Sequence, residues 1–367
     1  MDILGMDLYG NRHGALRLVA AIVPALGSLT ALVLMVRPPS QAASATVPVG
    51  LVPDLAGIND GGFNRMSYQG LLRAGDELGV SGTVYTPTSP TDYDHQLRQC
   101  VEDGNDLCIT VGFAWADATL AAAETYTGTR FAVVDVAWET YPDNLRGIAF
   151  ASDEVGYLAG TVAGMMTESD LIGAIGGMSI APVDDFIYGY RNGAQCANAK
   201  VSTVISYAND FVDPVIGAEI AQGMIGHGLD VIFGVGGPMG TGAVLTATQS
   251  GAWGIGVDVD YYNTVYQGGA VPGSERLLTS AMKRVDNAVF DTIGDIVSDT
   301  FTSGTVRYDL ATDGVGLAPF HDAYDAVPQV VRDRLQAVTQ GIIDGTIDVD
   351  RPCGAPVYLP LVVSNTP

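Results

Sequence analysis

The sequence predicts an α/β protein with parallel sheets divided between two lobes. Three observations carry that expectation. After residue 46, short β-rich runs alternate with helical periods. The strand runs are nearly continuous in apolar residues, as in strands covered on both faces. The chain has 367 residues, more than one domain usually holds, and 47% of them are hydrophobic, enough for sizeable cores.

The strand runs fall at 49–53, 83–85, 107–111, 131–134, 145–150, 172–176, 201–206, 231–235, 253–257 and 277–282. Helical periods lie between them at 66–78, 93–102, 117–125, 154–166, 184–197, 214–226, 241–249 and 285–298, with a last one at 328–345. The first βα series ends near Phe150 and a second begins with DEVGYLAGTVAGMMT. The loop-like stretch 257–275 is expected to return the chain to the first lobe. A further crossing near 301–304 would complete a three-strand hinge. The expected division is 46–150 plus 261–300 for the first lobe, 151–260 plus 301–355 for the second, and 356–367 as a tail.

Residues 1–45 read as a separate segment. Arg12 and Arg17 precede an apolar run from Leu18 to Val36, and a small-residue stretch ends at Ala45. A basic start, an apolar middle and an A-x-A end describe an export signal, with an uncleaved membrane anchor as the alternative. Either places the folded part outside the cytoplasm. No cysteine precedes Cys100, so attachment of lipid at an N-terminal cysteine is not expected.

The net charge is −24, and only Lys200 and Lys283 among the seventeen basic residues are lysines. So acidic a surface argues against nucleic acid and anionic lipid as partners. The four cysteines, Cys100, Cys108, Cys196 and Cys353, permit two disulfides or four free thiols. Cys100–Cys108 is the favoured pair, because both flank one short helix-to-strand turn. No cysteine or histidine spacing resembles a metal site, and no cofactor is expected.

The run Val47–Arg73, VPVGLVPDLAGINDGGFNRMSYQGLLR, is the most informative. A strand ends in Asp54 and a loop of small residues, and a helix follows Phe63-Asn64. That puts polar groups at the carboxyl edge of a parallel sheet, where open α/β folds bind small molecules. Phe63 offers a flat apolar wall beside an acceptor; the plainer alternative is a βα turn with a buried Phe. The loop Gly234-Val-Gly-Gly-Pro-Met-Gly-Thr-Gly242 imitates a dinucleotide fingerprint, but Met239 stands where its third glycine belongs. Nucleophile elbow, metal cluster and placed histidine are all missing, which weighs against an enzyme, whether nicotinamide-dependent or nucleoside-hydrolysing.

Ordered blocks along most of the chain resemble the basic membrane protein (Bmp) family, the PnrA-like purine nucleoside receptors of ABC transporters. They include DLAGINDGGFNRMSYQG (54–70), ITVGFAWAD (109–117), FAVVDVAW (131–138), IGAIGGMSIAPVDDFIYGYRNGA (172–194), GIGVDVD (254–260) and LLTSAMKRVDNAVFD (277–291). The resemblance implies a type I periplasmic-binding-protein fold, two Rossmann-like lobes on a three-strand hinge. It implies capture of a purine nucleoside for an ABC permease, without catalysis. Phe63 and Phe211 then resemble the rings that hold the base, with Phe186 a rival to Phe211. Asp54 resembles the base-edge acceptor, Asp258 the acceptor for the ribose hydroxyls, and Asn64 and Asp135 further pocket positions. Lys283 resembles the family's site lysine, offsetting repulsion among the carboxylates. Gly236 and Gly237 are expected to let the backbone approach the sugar. Many members have DDKSFN where this chain has NDGGFN, which softens the ligand's identity. A sensor or receptor of the same fold with another small ligand, such as a sugar, remains the alternative.

Overall fold

The computed structural model describes residues 46–351 and residue 353. The segment read as a signal or anchor, and the tail 356–367, lie outside the described residues. Two six-stranded sheets form the frame. The first runs β11-β5-β4-β3-β1-β2, from β1 (Pro48–Val52), β2 (Ser81–Val84), β3 (Leu107–Val111), β4 (Arg130–Val134), β5 (Leu145–Phe150) and β11 (Gly304–Tyr308). The second runs β12-β10-β9-β8-β6-β7, from β6 (Leu171–Gly176), β7 (Ser202–Tyr207), β8 (Val231–Val235), β9 (Trp253–Asp258), β10 (Leu277–Lys283) and β12 (Val315–Leu317). Every pairing is parallel except β12 against β10. Central strands such as β3 and β8 are buried along their whole length, which is why they read as unbroken apolar runs.

Helices cover both sheets: α1 (Phe63–Leu78), α2 (Tyr93–Glu102), α3 (Ala116–Thr125), α4 (Ser152–Met166), α5 (Ala181–Ala197), α6 (Pro214–Gly226), α7 (Gly237–Gln249), the short α8 (Tyr261–Thr264), α9 (Val285–Val297) and α10 (Gln329–Ile343). The chain crosses between lobes three times: from β5 to α4, from β10 to α9, and from β11 to β12. Helix α9 packs on α1 of the first lobe, where Arg73 reaches Asn287 at 3.1 Å and lies 3.6 Å over the Phe290 ring. Helix α4 packs on α5, backbone against backbone. A Cβ at Gly160 would run into the Tyr190 carbonyl, so only glycine allows that approach.

Two of the crossings differ from the expected ones. β10 belongs to the second sheet, not the first, and β11 to the first, not the second. The stretch 257–275 stays in the second lobe because Tyr261 and Tyr266 are buried there against Val244 and Leu277. Its Gly, Asn and Asp content hides those two anchors. β11 is an edge strand of alternating exposure, too polar to stand out in the sequence.

Both disulfides are formed. Cys100–Cys108, with Cα atoms 6.3 Å apart, ties α2 to β3. Cys196–Cys353, 5.1 Å apart, ties the end of α5 to the last described residue. Both separations suit unforced bridges, and such bridges persist in oxidising compartments.

Candidate functional site

The carboxyl edges of both sheets meet across one cavity of about 670 Å³, measured out to its open mouth. All nine residues singled out in the sequence, Asp54, Phe63, Asn64, Asp135, Phe211, Gly236, Gly237, Asp258 and Lys283, line it. The rival Phe186 lines it as well.

The first lobe's side is a polar lattice. Asn64, at the start of α1, is buried; its Nδ2 donates to Asp54 Oδ1 at 2.7 Å and to Asp60 Oδ2 at 3.1 Å, while its Oδ1 accepts from the Asp54 amide at 3.0 Å. Both amide hydrogens are thereby used within the protein, so Asn64 positions the two carboxylates. Asp60 accepts from the amides of Gly62, Asn64 and Arg65, and so caps the N-terminus of α1. Asp54 Oδ1 is further occupied by the Ala56 amide at 2.8 Å, whereas its Oδ2 has no hydrogen bond among the described residues. Burial pushes the Asp54 pKa above its ordinary value, against the two hydrogen bonds that lower it.

Asp135 and Asp258 hold matching places, just past β4 and at the end of β9. Both have left-handed backbones, with φ of 65° and 64°. Their environments differ. Lys283, at the end of β10, donates to both oxygens of Asp135 at 3.0 and 2.8 Å, an ion pair that spans the lobes. The ammonium also stands 5.3, 5.4 and 5.2 Å from the rings of Phe63, Phe150 and Phe186. Burial works against its charge, but Asp135 and Asp258 outweigh that and hold its pKa above the ordinary lysine value. Asp258 accepts no hydrogen bond from the described residues. Burial pushes its pKa up to about 6, with Lys283 pulling the other way and Asp135 and Asp60 adding to the rise.

Around the start of α5 the second lobe's side is apolar, while its β9 and β10 bring Asp258 and Lys283 to the cavity. Ile180, Pro182, Val183 and Phe186 from the start of α5 face the cavity with Phe211. Phe186 is buried and packs edge-on against Phe233, as part of the floor. Phe211 is half-buried, and its ring lies 6.3 Å from Phe113 of the first lobe across the mouth. The glycine loop serves this ring: a Cβ on Gly236 (φ +148°) would come within 3.2 Å of it, and one on Gly177 would overlap it. Close approach of Phe211 thus favours glycine at 177 and 236, and Gly237 (φ +44°) lies against the Phe211 carbonyl.

Sequence reasoning missed Asp60, Phe113 and Gly177. Asp60 was findable as an acid just before a helix start. Phe113 lies just past β3, at the same sheet edge that drew attention to Asp54. Gly177 had no signal, since its role depends on a ring 34 residues later in the chain.

Four carboxylates (Asp54, Asp60, Asp135, Asp258) face one ammonium (Lys283) in the cavity. That balance disfavours an anionic guest. Two carboxylates with unused acceptor capacity call for a guest with N–H or O–H donors.

A profile of the family described as "ABC transporter substrate-binding protein PnrA-like" matches residues 48–350. The chain belongs to this family. Members bind a substrate for an ABC transporter and are not enzymes; their ligands are small molecules, their partners are membrane permeases, and they work outside the cytoplasm. The chain is 33% identical over 313 residues to the ABC transporter nucleoside-binding protein BmpA of Lactococcus lactis, covering 82% of this chain and 88% of that one. It is 32% identical over 319 residues to a CD4+ T-cell-stimulating antigen of Listeria innocua, covering 82% and 87%. Among solved structures, an ABC transporter solute-binding protein from Aeropyrum pernix superposes with a TM-score of 0.73 at 26% identity, over 82% of this chain and 92% of that one. The two-lobed type I fold is the one such neighbours share. Relatives from Pyrococcus are named lipoproteins, which runs against the expectation of an unlipidated chain. Cys100, Cys108, Cys196 and Cys353 are all in disulfides.

Proposed function

We propose that the cavity captures a purine nucleoside and that the loaded, closed form delivers it to the permease. The observation that carries this reading is the pairing, in one cavity, of unused carboxylate acceptors on Asp54 and Asp258 with phenyl rings from both lobes. A purine nucleoside has two aromatic faces, a base edge with N–H donors, a ribose diol and no charge. Phe63 and Phe211 would hold the faces, each worth about 1–3 kcal/mol by the measure of base–aromatic stacking. Asp54 Oδ2 would accept from the base edge and Asp258 from the diol, as charge-assisted bonds of about twice the usual strength. Lys283 would keep Asp135 and Asp258 ionised together. The lattice made by Asn64 fixes Asp54 before the ligand arrives, which lowers the ordering cost of binding.

The name of the Lactococcus relative points the same way. Mass analysis of small molecules released from freshly purified protein tests the reading. A purine nucleoside in the released fraction is the expected result. A sugar or an amino acid there, with no nucleoside, would overturn it.

A further inference from the structure

Next to the main cavity is a second chamber, also about 670 Å³ out to its mouth. Asp258 lines both. Elsewhere the two walls are neighbours in sequence: Asn64 faces the cavity and Arg65 the chamber, and Lys283 faces the cavity and Met282 the chamber. The shared wall, Asp258, is the residue that the nucleoside reading, on which this inference rests, puts at the sugar. We propose that the chamber receives a substituent on the sugar's exocyclic carbon, so that the substrate class extends to 5′-substituted nucleosides with uncharged or cationic extensions.

Three features support the assignment. The diol must stay intact to donate to Asp258, so the exocyclic carbon is the sugar position that bears an extension without losing those bonds. The chamber is open to solvent and built from both lobes, so an extension reaches it as the lobes close. Its charges set the chemistry. Arg284 is held by both oxygens of Asp286, at 3.0 and 2.9 Å, and Asp260 accepts from His321 at 2.8 Å if that ring nitrogen carries the proton. What is left is Arg65, without an ion pair among the described residues, and Asp258, and this gives no net positive charge for a phosphate.

Calorimetric titration of the full chain with adenosine, 5′-deoxy-5′-methylthioadenosine and adenosine 5′-monophosphate tests this. The thioether is expected to bind within about tenfold of adenosine, and the monophosphate at least about thirtyfold more weakly than either. Gln69→Trp, at an exposed position of the chamber wall, is expected to weaken the thioether by about tenfold or more and leave adenosine unchanged. A thioether more than about tenfold weaker than adenosine on the unmodified protein overturns the chamber assignment. So does a Gln69→Trp variant that weakens both ligands equally, and a monophosphate that binds as well as the thioether overturns the charge assignment. The adenosine arm separates the two claims: adenosine binding without the thioether removes this inference alone, whereas silence from adenosine removes the nucleoside reading and this inference with it.

Discussion

In the first lobe the loop after the opening strand is a web of carboxylates and amides built around Asn64. In the second lobe the corresponding edge is Ile180, Pro182, Val183 and two phenyl rings. The sheets behind these edges have the same strand order, and each places an aspartate in the left-handed region beside its third strand from the same side, Asp135 in one and Asp258 in the other. One plan, used twice, thus produces a rigid acceptor lattice beside Phe63 in the first lobe and, in the second, an apolar face beside the unpaired Asp258. The aspartates show the division most sharply. Asp135 is neutralised by a lysine from the opposite lobe, and Asp258 is left open.

The largest effect should come from breaking the bond that joins the halves. Lys283→Met leaves Asp135 and Asp258 buried without a counter-charge and should lower the unfolding free energy by about 3–5 kcal/mol, read by urea denaturation. Asp135→Asn added to it should restore part of the loss, because the two sites are directly coupled. Next, the stacking faces should contribute from both sides: Phe63→Ala and Phe211→Ala should each weaken nucleoside binding by about 1–3 kcal/mol in titration calorimetry. A loss confined to one of them would mean the base rests on a single lobe.

The open aspartate should then show itself in pH. With its pKa at about 6, Asp258 is mostly protonated at pH 5, so affinity there should be about tenfold below that at pH 7.5. Asp258→Asn should flatten that profile. Stability without ligand should run the other way. The folded pKa is raised, so the folded form binds the proton more tightly, and this group's contribution is full below the ordinary carboxylate value of 3.8 and is lost as pH rises through about 6. Smallest of all, Phe113→Ala should cost less than about 1 kcal/mol of affinity, since this ring is partly exposed at the mouth.

Strand runs buried on both faces were legible because burial demands unbroken apolar sequence, and the eight inner strands follow from that rule, whereas the edge strands β2 and β7 are exposed or half-buried and stood out without it. β11 and β12, at the sheet edges, do not obey it. The path through the hinge was hidden for a related reason: Tyr261 and Tyr266 anchor a stretch whose composition reads as loop. In the site, residues on their own βα turns (Asp54, Phe63, Asp258) were legible from local pattern and family likeness. The Lys283–Asp135 pair and the seat that Gly177 and Gly236 make for Phe211 depend on contacts between distant segments, which no local pattern encodes.

Titration of inosine into protein freed of bound ligand by unfolding and refolding tests the central claim most directly. Gripping of an uncharged purine nucleoside by rings and acids from both halves predicts a dissociation constant of about 1 μM or tighter, near −8 kcal/mol. No heat with inosine, guanosine or adenosine, from protein that binds xylose under the same conditions, would contradict it.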